Sequence, residues 1–439
     1  MQRDEARAPA GDTLFTGVRL LDPASGLDQP GELLIRHGRI ADLGNKLGRP
    51  DGATVLDGDG AVLCPGLVDM RAALGEPGFE YRETIASAAA AAAAGGITTL
   101  AALPDTAPAV DDPAIARLLV ARGLETGSLD ILPYGAVTRG CRGEEMAELG
   151  LLREAGAVAF TDGARAIGPS RLMALALSYA RGFGCRIVQH PEEPSLANGG
   201  AATSGELATR LGLPGIPAAA EAIMVARDIR LAKLTGGAIH FAHVSTAEAL
   251  ELIRRARHEG LSVTCDTAPP YFDLNETAIG NFRTYAKLSP PLRCEADRQA
   301  VAAALADGTI DAVASDHTPR DADDKRLPFA QASPGGSGLA TLLAVTLAQV
   351  HGGGIGIAAA MALLTVRPAR LLGSAAGTLA RGAAADLCLF HPERAWQVQA
   401  GELPGKAQNT PFDGRALEGR VLGTWKNGRQ VFGAAEGRI

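Results

Sequence analysis

The chain has 439 residues, 46% hydrophobic and 21% charged, with a formal net charge of −7. That length and balance suit a soluble globular protein of two or three domains, or one large barrel with an attachment. No basic patch stands out, which argues against nucleic acid and anionic membranes as partners, and six singly spaced cysteines give neither a C-x-x-C zinc site nor a disulfide framework.

In chain order, residues 1–12 read as a disordered tail, with no apolar signal segment. From residue 13 to 63 short strands alternate with Gly and Pro turns: Leu14–Leu20, Gly31–Arg36 and Gly38–Leu43. The middle, residues 64–375, alternates short apolar strands with Ala-rich helical runs. The strands are Leu67–Met70, Thr98–Leu103, Ile131–Ala136, Ala157–Thr161, Arg186–His190, Ala238–Val244, Ser262–Asp266 and Ala312–Asp316; the helices include Ile85–Ala94, Ala218–Leu234, Ala247–Glu259 and Asp297–Ala306. The uncharged stretches Thr84–Pro104 and Phe329–Val366 are Ala-rich and broken by Gly clusters, so they read as buried barrel elements and not as membrane spans. Residues 376–439 return to strands, Ala385–Phe390 and Gly423–Phe432, the second with an Asn427-Gly428 turn. The fold class is α/β: a TIM-type (β/α)8 barrel with a small β-sandwich domain built from both chain ends. In such a barrel the functional groups sit at the C-terminal strand ends.

Several short blocks stand out along the chain. Pro65-Gly66-Leu67-Val68-Asp69 leads into Met70-Arg71-Ala72-Ala73-Leu74-Gly75-Glu76-Pro77-Gly78. Later come Ala93–Thr99 (AAGGITT), Leu103–Pro108 (LPDTAP), Ala157–Asp162 (AVAFTD), His243–Thr246 (HVST), Lys287–Arg293 (KLSPPLR), and Ala314–Pro319 (ASDHTP). The set and its order resemble the dihydroorotase family of cyclic amidohydrolases across nearly the whole chain. The family's opening frame reads roughly PGLVDxHxHxREPG.

That resemblance implies a site with one or two divalent metals, usually zinc, whose bound water becomes the nucleophile. It makes His190 and His243 the ligands of the second metal, Asp162 a bridging carboxylate and Asp316 the catalytic acid/base and first-metal ligand. Arg71 and Ala73 stand where two ligand histidines belong, and Gly75 where the substrate-binding arginine belongs. Asp105 and Ser289 replace two substrate-binding asparagines, and Pro270-Tyr271 stands where many relatives carry His-His. An arginine at residue 71 is positioned to fill the metal's place or to pair with Asp316. His317 and His240 read as structural by strand parity. Gly352–Gly356 follows a helical run without G-K-[ST], so a phosphate loop is not expected. A carboxylated lysine of hydantoinase type has no counterpart in Ala157–Asp162.

The leading expectation is a catalytically degenerate homologue in pyrimidine biosynthesis, a scaffold for the aspartate carbamoyltransferase catalytic chain and itself a homo-oligomer. The alternative is an active dihydroorotase using a single zinc at His190, His243 and Asp162, with Asp316 as acid/base. A third reading is a barrel that binds a small ligand through Arg71 and Asp105 without turnover. A cytoplasmic location is expected.

Overall fold

The computed structural model describes residues 11–433. The tail expected over residues 1–12 falls mostly outside them. Its last residue is part of the fold: Asp12 pairs with Arg36 at 2.8 Å and accepts a hydrogen bond from the Thr54 amide at 2.9 Å.

The two chain ends make one continuous sheet of eight strands. Thr13–Asp22 pairs antiparallel with Leu27–Arg36, and that strand with Arg39–Gly44. Leu387–Gln397 joins Val62–Pro65 with Cys388 opposite Cys64, and it continues through Ala416–Lys426 to Arg429–Gly433. The last hairpin turns at Asn427 and Gly428, with φ 48° and 74°, the positive pair that a two-residue hairpin needs. Phe15, Leu20, Leu33, Ile35, Leu63, Leu389 and Trp425 form the core of this β-sandwich domain, and Phe15 meets the Trp425 ring edge-on at 4.9 Å.

Gly66 is the hinge into the barrel. Its amide donates to Asp386 O at 2.8 Å, and an added Cβ there would collide with Thr98. Leu67–Ala72 and Ile97–Ala102 follow as parallel strands buried at every position, as expected of strands covered on both faces. Asp130–Pro133 pairs with the second. The circuit continues through Gly135–Ala136, Phe160–Thr161, Arg186–Gln189, Ala238–Phe241, Val263–Thr267 and Ala312–Val313. It closes where His317 bridges Ala72. Inward positions carry small or medium apolar side chains, among them Val68, Met70, Ala101, Val188, Ala242, Ala312 and Ala314, so the interior is packed.

The helix Ile85–Ala94 starts on a reciprocal cap, with Thr84 accepting from the Ser87 amide and Ser87 accepting from the Thr84 amide. It stops at Gly95, where a Cβ would strike the Leu339 carbonyl. The helices Ala219–Thr235, Ala247–His258 and Glu295–Ala306 lie within a residue or two of the sequence expectation. No helix among the described residues is long and apolar enough to cross a membrane.

Candidate functional site

At the C-terminal end of the barrel a line of hydrogen bonds runs across the mouth. Arg71, 3% exposed on the first barrel strand, donates from Nε to Asp316 Oδ1 at 2.8 Å and from Nη2 to Gly163 O at 3.1 Å. Asp316 Oδ2 lies 3.0 Å from His243 Nδ1, and His243 Nε2 lies 2.7 Å from His190 Nδ1. His190 Nε2 stands 3.3 Å from Glu192 Oε2, which also accepts from Ser289 Oγ at 3.0 Å. Both His243 and Asp316 sit just past strand ends with positive φ, 39° and 49°. Strained backbone of this kind is retained at sites where neighbours over-determine it.

The electrostatics follow from burial and from Arg71. Burial, with Arg71 and His190 adding repulsion, pushes His243 down to about 4 against the pull of Asp316, so the ring is neutral at pH 7. Burial works against ionisation of Asp316, but His243 and the Arg71 guanidinium outweigh it and hold the carboxyl below its usual range. Glu192 is likewise held low: burial opposes, and its contact with His190 prevails.

Arg71 therefore takes the second of its two expected roles, pairing with Asp316. A small cavity of about 10 Å³, lined also by Pro270, Leu288 and Phe412, reaches Asp316. Tyr271 stands on another side. Its ring meets that of His243 edge-on at 6.3 Å, and its hydroxyl donates to Pro290 O at 2.9 Å.

Asp162 does not join the two histidines. Thr138 holds both of its oxygens, by its amide at 2.9 Å and its hydroxyl at 2.5 Å. Burial raises the pKa of that carboxyl, and the Thr138 contacts oppose the rise. The two histidines direct their facing nitrogens at each other. Among the described residues no three His, Cys, Asp or Glu side chains are arranged to hold a metal ion. The three-ligand zinc site expected at His190, His243 and Asp162 thus does not fit the side chains as placed: Thr138 holds Asp162, Glu192 contacts His190, and Asp316 contacts His243.

The remaining expected residues lie around this centre. Ala73 donates its amide to His317 O at 2.8 Å and offers no side-chain donor. Asp105 packs against Gly163, where a Cβ would come within 2.8 Å of its carboxyl carbon. Gly75 has φ 72°, and a Cβ there would lie 2.5 Å from Glu83 O, so any side chain in this turn is strained. His317 accepts from the Gly338 amide at 3.3 Å and approaches Glu83 at 3.5 Å, consistent with a structural role. His240 is buried and bonded to Thr264 Oγ1 at 2.8 Å, consistent with a structural role. The strand ends at Phe241, so alternation does not reach His243, and one carboxylate serves both: Asp266 Oδ2 meets His240 Nε2 at 2.9 Å while Oδ1 accepts from the His243 amide at 2.6 Å.

Sequence reading missed Glu192 and Glu221. Glu192 sits two residues after His190, a spacing that could have flagged it. Glu221 lies on the helix Ala219–Thr235, far from any motif. It accepts from the amides of Ser245 and Thr246 at 3.0 and 2.9 Å, and from the Thr246 hydroxyl at 2.7 Å, which explains why a Ser-Thr pair follows His243. Only the fold reveals that contact.

Comparison with known proteins gives the same kinship. The family of dihydro-orotase-like proteins matches residues 60–249. A protein of Pelobacter propionicus named dihydroorotase is 43% identical over 419 residues, covering 95% of this chain and 99% of its own. One from Anaeromyxobacter dehalogenans with the same name is 44% identical over 423 residues, covering 96% and 98%. Among solved structures, the L-hydantoinase of Arthrobacter aurescens superposes with a TM-score of 0.85 at 24% identity over 98% of each chain. The dihydropyrimidinase of Brevibacillus agri gives 0.81 at 22% identity, covering 96% of this chain and 95% of its own. At those identities the two structures speak for the fold, a barrel with a β-sandwich domain. End-to-end identity above 40% to the relatives named dihydroorotase speaks for more: this chain belongs to the dihydroorotase family.

Proposed function

We propose that this chain is a dihydroorotase-type hydrolase of pyrimidine biosynthesis, acting on the cyclic amide of dihydroorotate. The observation that carries the reading is full-length kinship to proteins named dihydroorotase. It favours an acting hydrolase over the scaffold that the altered motifs led us to expect.

The residues present suggest parts that need no metal ion. Asp316, ionised at the end of the last barrel strand, accepts a proton from water and returns one to the leaving ring nitrogen. Neutral His243 orients that carboxylate through its 3.0 Å contact. Arg71 contributes a fixed positive charge. Its Nη1 is buried without a protein partner, and a charged donor of this kind stabilises the oxyanion that develops on the attacked carbonyl.

That ion-paired centre favours a second reading, a catalytically degenerate chain that serves as a scaffold for aspartate carbamoyltransferase and assembles with itself. One set of assays separates the two. Dihydroorotate hydrolysis is followed before and after chelation, with zinc content measured on the same sample and Asp316→Asn run alongside. Turnover that survives chelator and disappears in Asp316→Asn supports the proposal. Turnover lost with the chelated zinc would remove the part given to Arg71. No turnover, with co-elution of the transferase, would establish the scaffold.

A further inference from the structure

A second cavity, of about 180 Å³, opens on the rim of the barrel mouth outside the Arg71–Asp316 centre. Its walls bring together Tyr81, Arg82, Tyr285, Arg320, Lys325 and Lys406, four cationic side chains against a single lining carboxylate, Asp321. In a chain of net charge −7 this is a local reversal of sign.

The cations differ in what they have left to offer. Lys325 directs Nζ to three carbonyls, those of Ser333, Thr284 and Lys287, at 2.8, 3.2 and 3.3 Å. It builds the wall. The Arg82 guanidinium makes no hydrogen bond among the described residues, and its Nε is buried without a partner. It lies 5.0 Å from the Phe79 ring and 5.1 Å from the Tyr81 ring, which hold the plane in place. Arg320 donates Nε to Pro334 O at 2.8 Å and leaves its two Nη groups free of hydrogen bonds. Lys406 is exposed, with Nζ 2.5 Å from Glu80 O.

The nearby carboxylates do not cancel this charge. Asp321 caps the helix Ala322–Arg326 by accepting from the Asp324 amide at 2.8 Å. Asp324 comes no closer to Arg82 than 3.8 Å. Asp324 and Asp105 both act on Arg320 electrostatically, yet burial together with Arg82 outweighs them and depresses the Arg320 pKa. Two guanidinium forks with unused donors match the geometry of a carboxylate or phosphate. The two tyrosine walls suit a flat ring beside it. The volume is below that of drug-sized pockets, which limits the occupant to about one ring.

We propose that this cavity binds the oxyanion of a small single-ring molecule, with Arg82 and Arg320 as the principal contacts and Lys406 at the rim. The site stands apart from the proposed hydrolysis, because no residue of the Arg71–Asp316–His243 line enters it.

Calorimetric titration of the full chain with orthophosphate, dihydroorotate, carbamoyl aspartate and uridine 5′-monophosphate tests it, read beside thermal shift. At least one of these binds, more weakly as salt rises. Arg82→Gln weakens that binding by about tenfold or more, as loss of a charge-assisted fork implies. Lys406→Ala, at an exposed position that cannot unfold the chain, weakens it by about threefold. Phosphate and uridine 5′-monophosphate binding without the carboxylates would assign the site to phosphate, and the reverse to a carboxylate; either supports the proposal. No binding at millimolar concentration of any probe overturns it. So does binding that is abolished by Arg71→Met and unchanged in both Arg82→Gln and Lys406→Ala, since the anion would then sit in the barrel centre.

Discussion

Arg71 decides the chemistry of this site because it is a permanent charge buried against an ionised carboxylate. Removing one member of such a pair leaves the other uncompensated, and the cost is roughly 3–5 kcal/mol. Arg71→Ala is therefore expected to destabilise the chain by about that amount in urea denaturation. A loss below about 1 kcal/mol would mean that Asp316 finds another partner or that solvent already screens the pair. The sequence showed that a histidine was missing at residue 71. It could not show which of two roles the arginine took, because that depends on how far residue 316 lies across the barrel. Asp228 offers a second test at this scale. Buried and bonded to Gln189 at 2.9 Å, its carboxyl is raised to about 6, mainly by burial and against the pull of Arg227. A raised carboxyl stabilises the fold fully below its unfolded value, near 4, and that contribution is lost as pH rises through about 6. Between those limits the stability of the wild type should fall relative to Asp228→Asn, by at most about 3 kcal/mol in paired denaturation curves. Parallel curves would show that the group titrates normally.

At the scale of elements, the turn after the first barrel strand shows why the family's frame survived while its contents changed. Gly75 holds φ 72°, its carbonyl accepts from the Phe79 amide at 2.6 Å, and the next turn leads to the Thr84 cap. Restoring an arginine by Gly75→Arg is expected to cost about 1–3 kcal/mol from the positive φ alone, with further displacement of Glu83 O. Thermal denaturation reads this directly; an unchanged midpoint would show that the turn adapts. The elements themselves were legible in the sequence. The helix Ile85–Ala94 is bounded by a Thr-Ser cap and two glycines, and the parallel strands are short apolar runs between turn signals. The strand that carries His240 ends at Phe241, so His243 stands beyond the reach of alternation.

Across the whole molecule, the β-sandwich domain and the barrel are tied by one buried lysine. Lys426 Nζ lies 2.6 Å from both Asp386 in the sandwich and Asp130 at the start of a barrel strand, and Thr424 donates to Ala93 O at 2.6 Å beside it. Lys426→Met removes both ion pairs and leaves the Asp386 carboxylate with the Asn427 amide, at 2.8 Å, and no counter-charge from Lys426. We expect a loss of about 1–3 kcal/mol, less than for a fully buried pair because Asp130 is 43% exposed. The form of the transition is a second readout: two separate unfolding steps in place of one would show that this contact couples the domains.

Fold class and kinship could be read from the sequence because they rest on local and periodic information. Apolar runs, glycine stops and short motifs in a set order survive the loss of any single site residue. The centre could not be read this way. Arg71 and Asp316 are separated by 245 positions along the chain, Thr138 and Asp162 by 24, and Ser245 and Glu221 by 24. Only closure of the barrel brings those pairs within hydrogen-bond reach. Closure also settles which donors remain free and which are already satisfied, and hence whether two histidines and two aspartates surround an ion or bond to each other and to their neighbours.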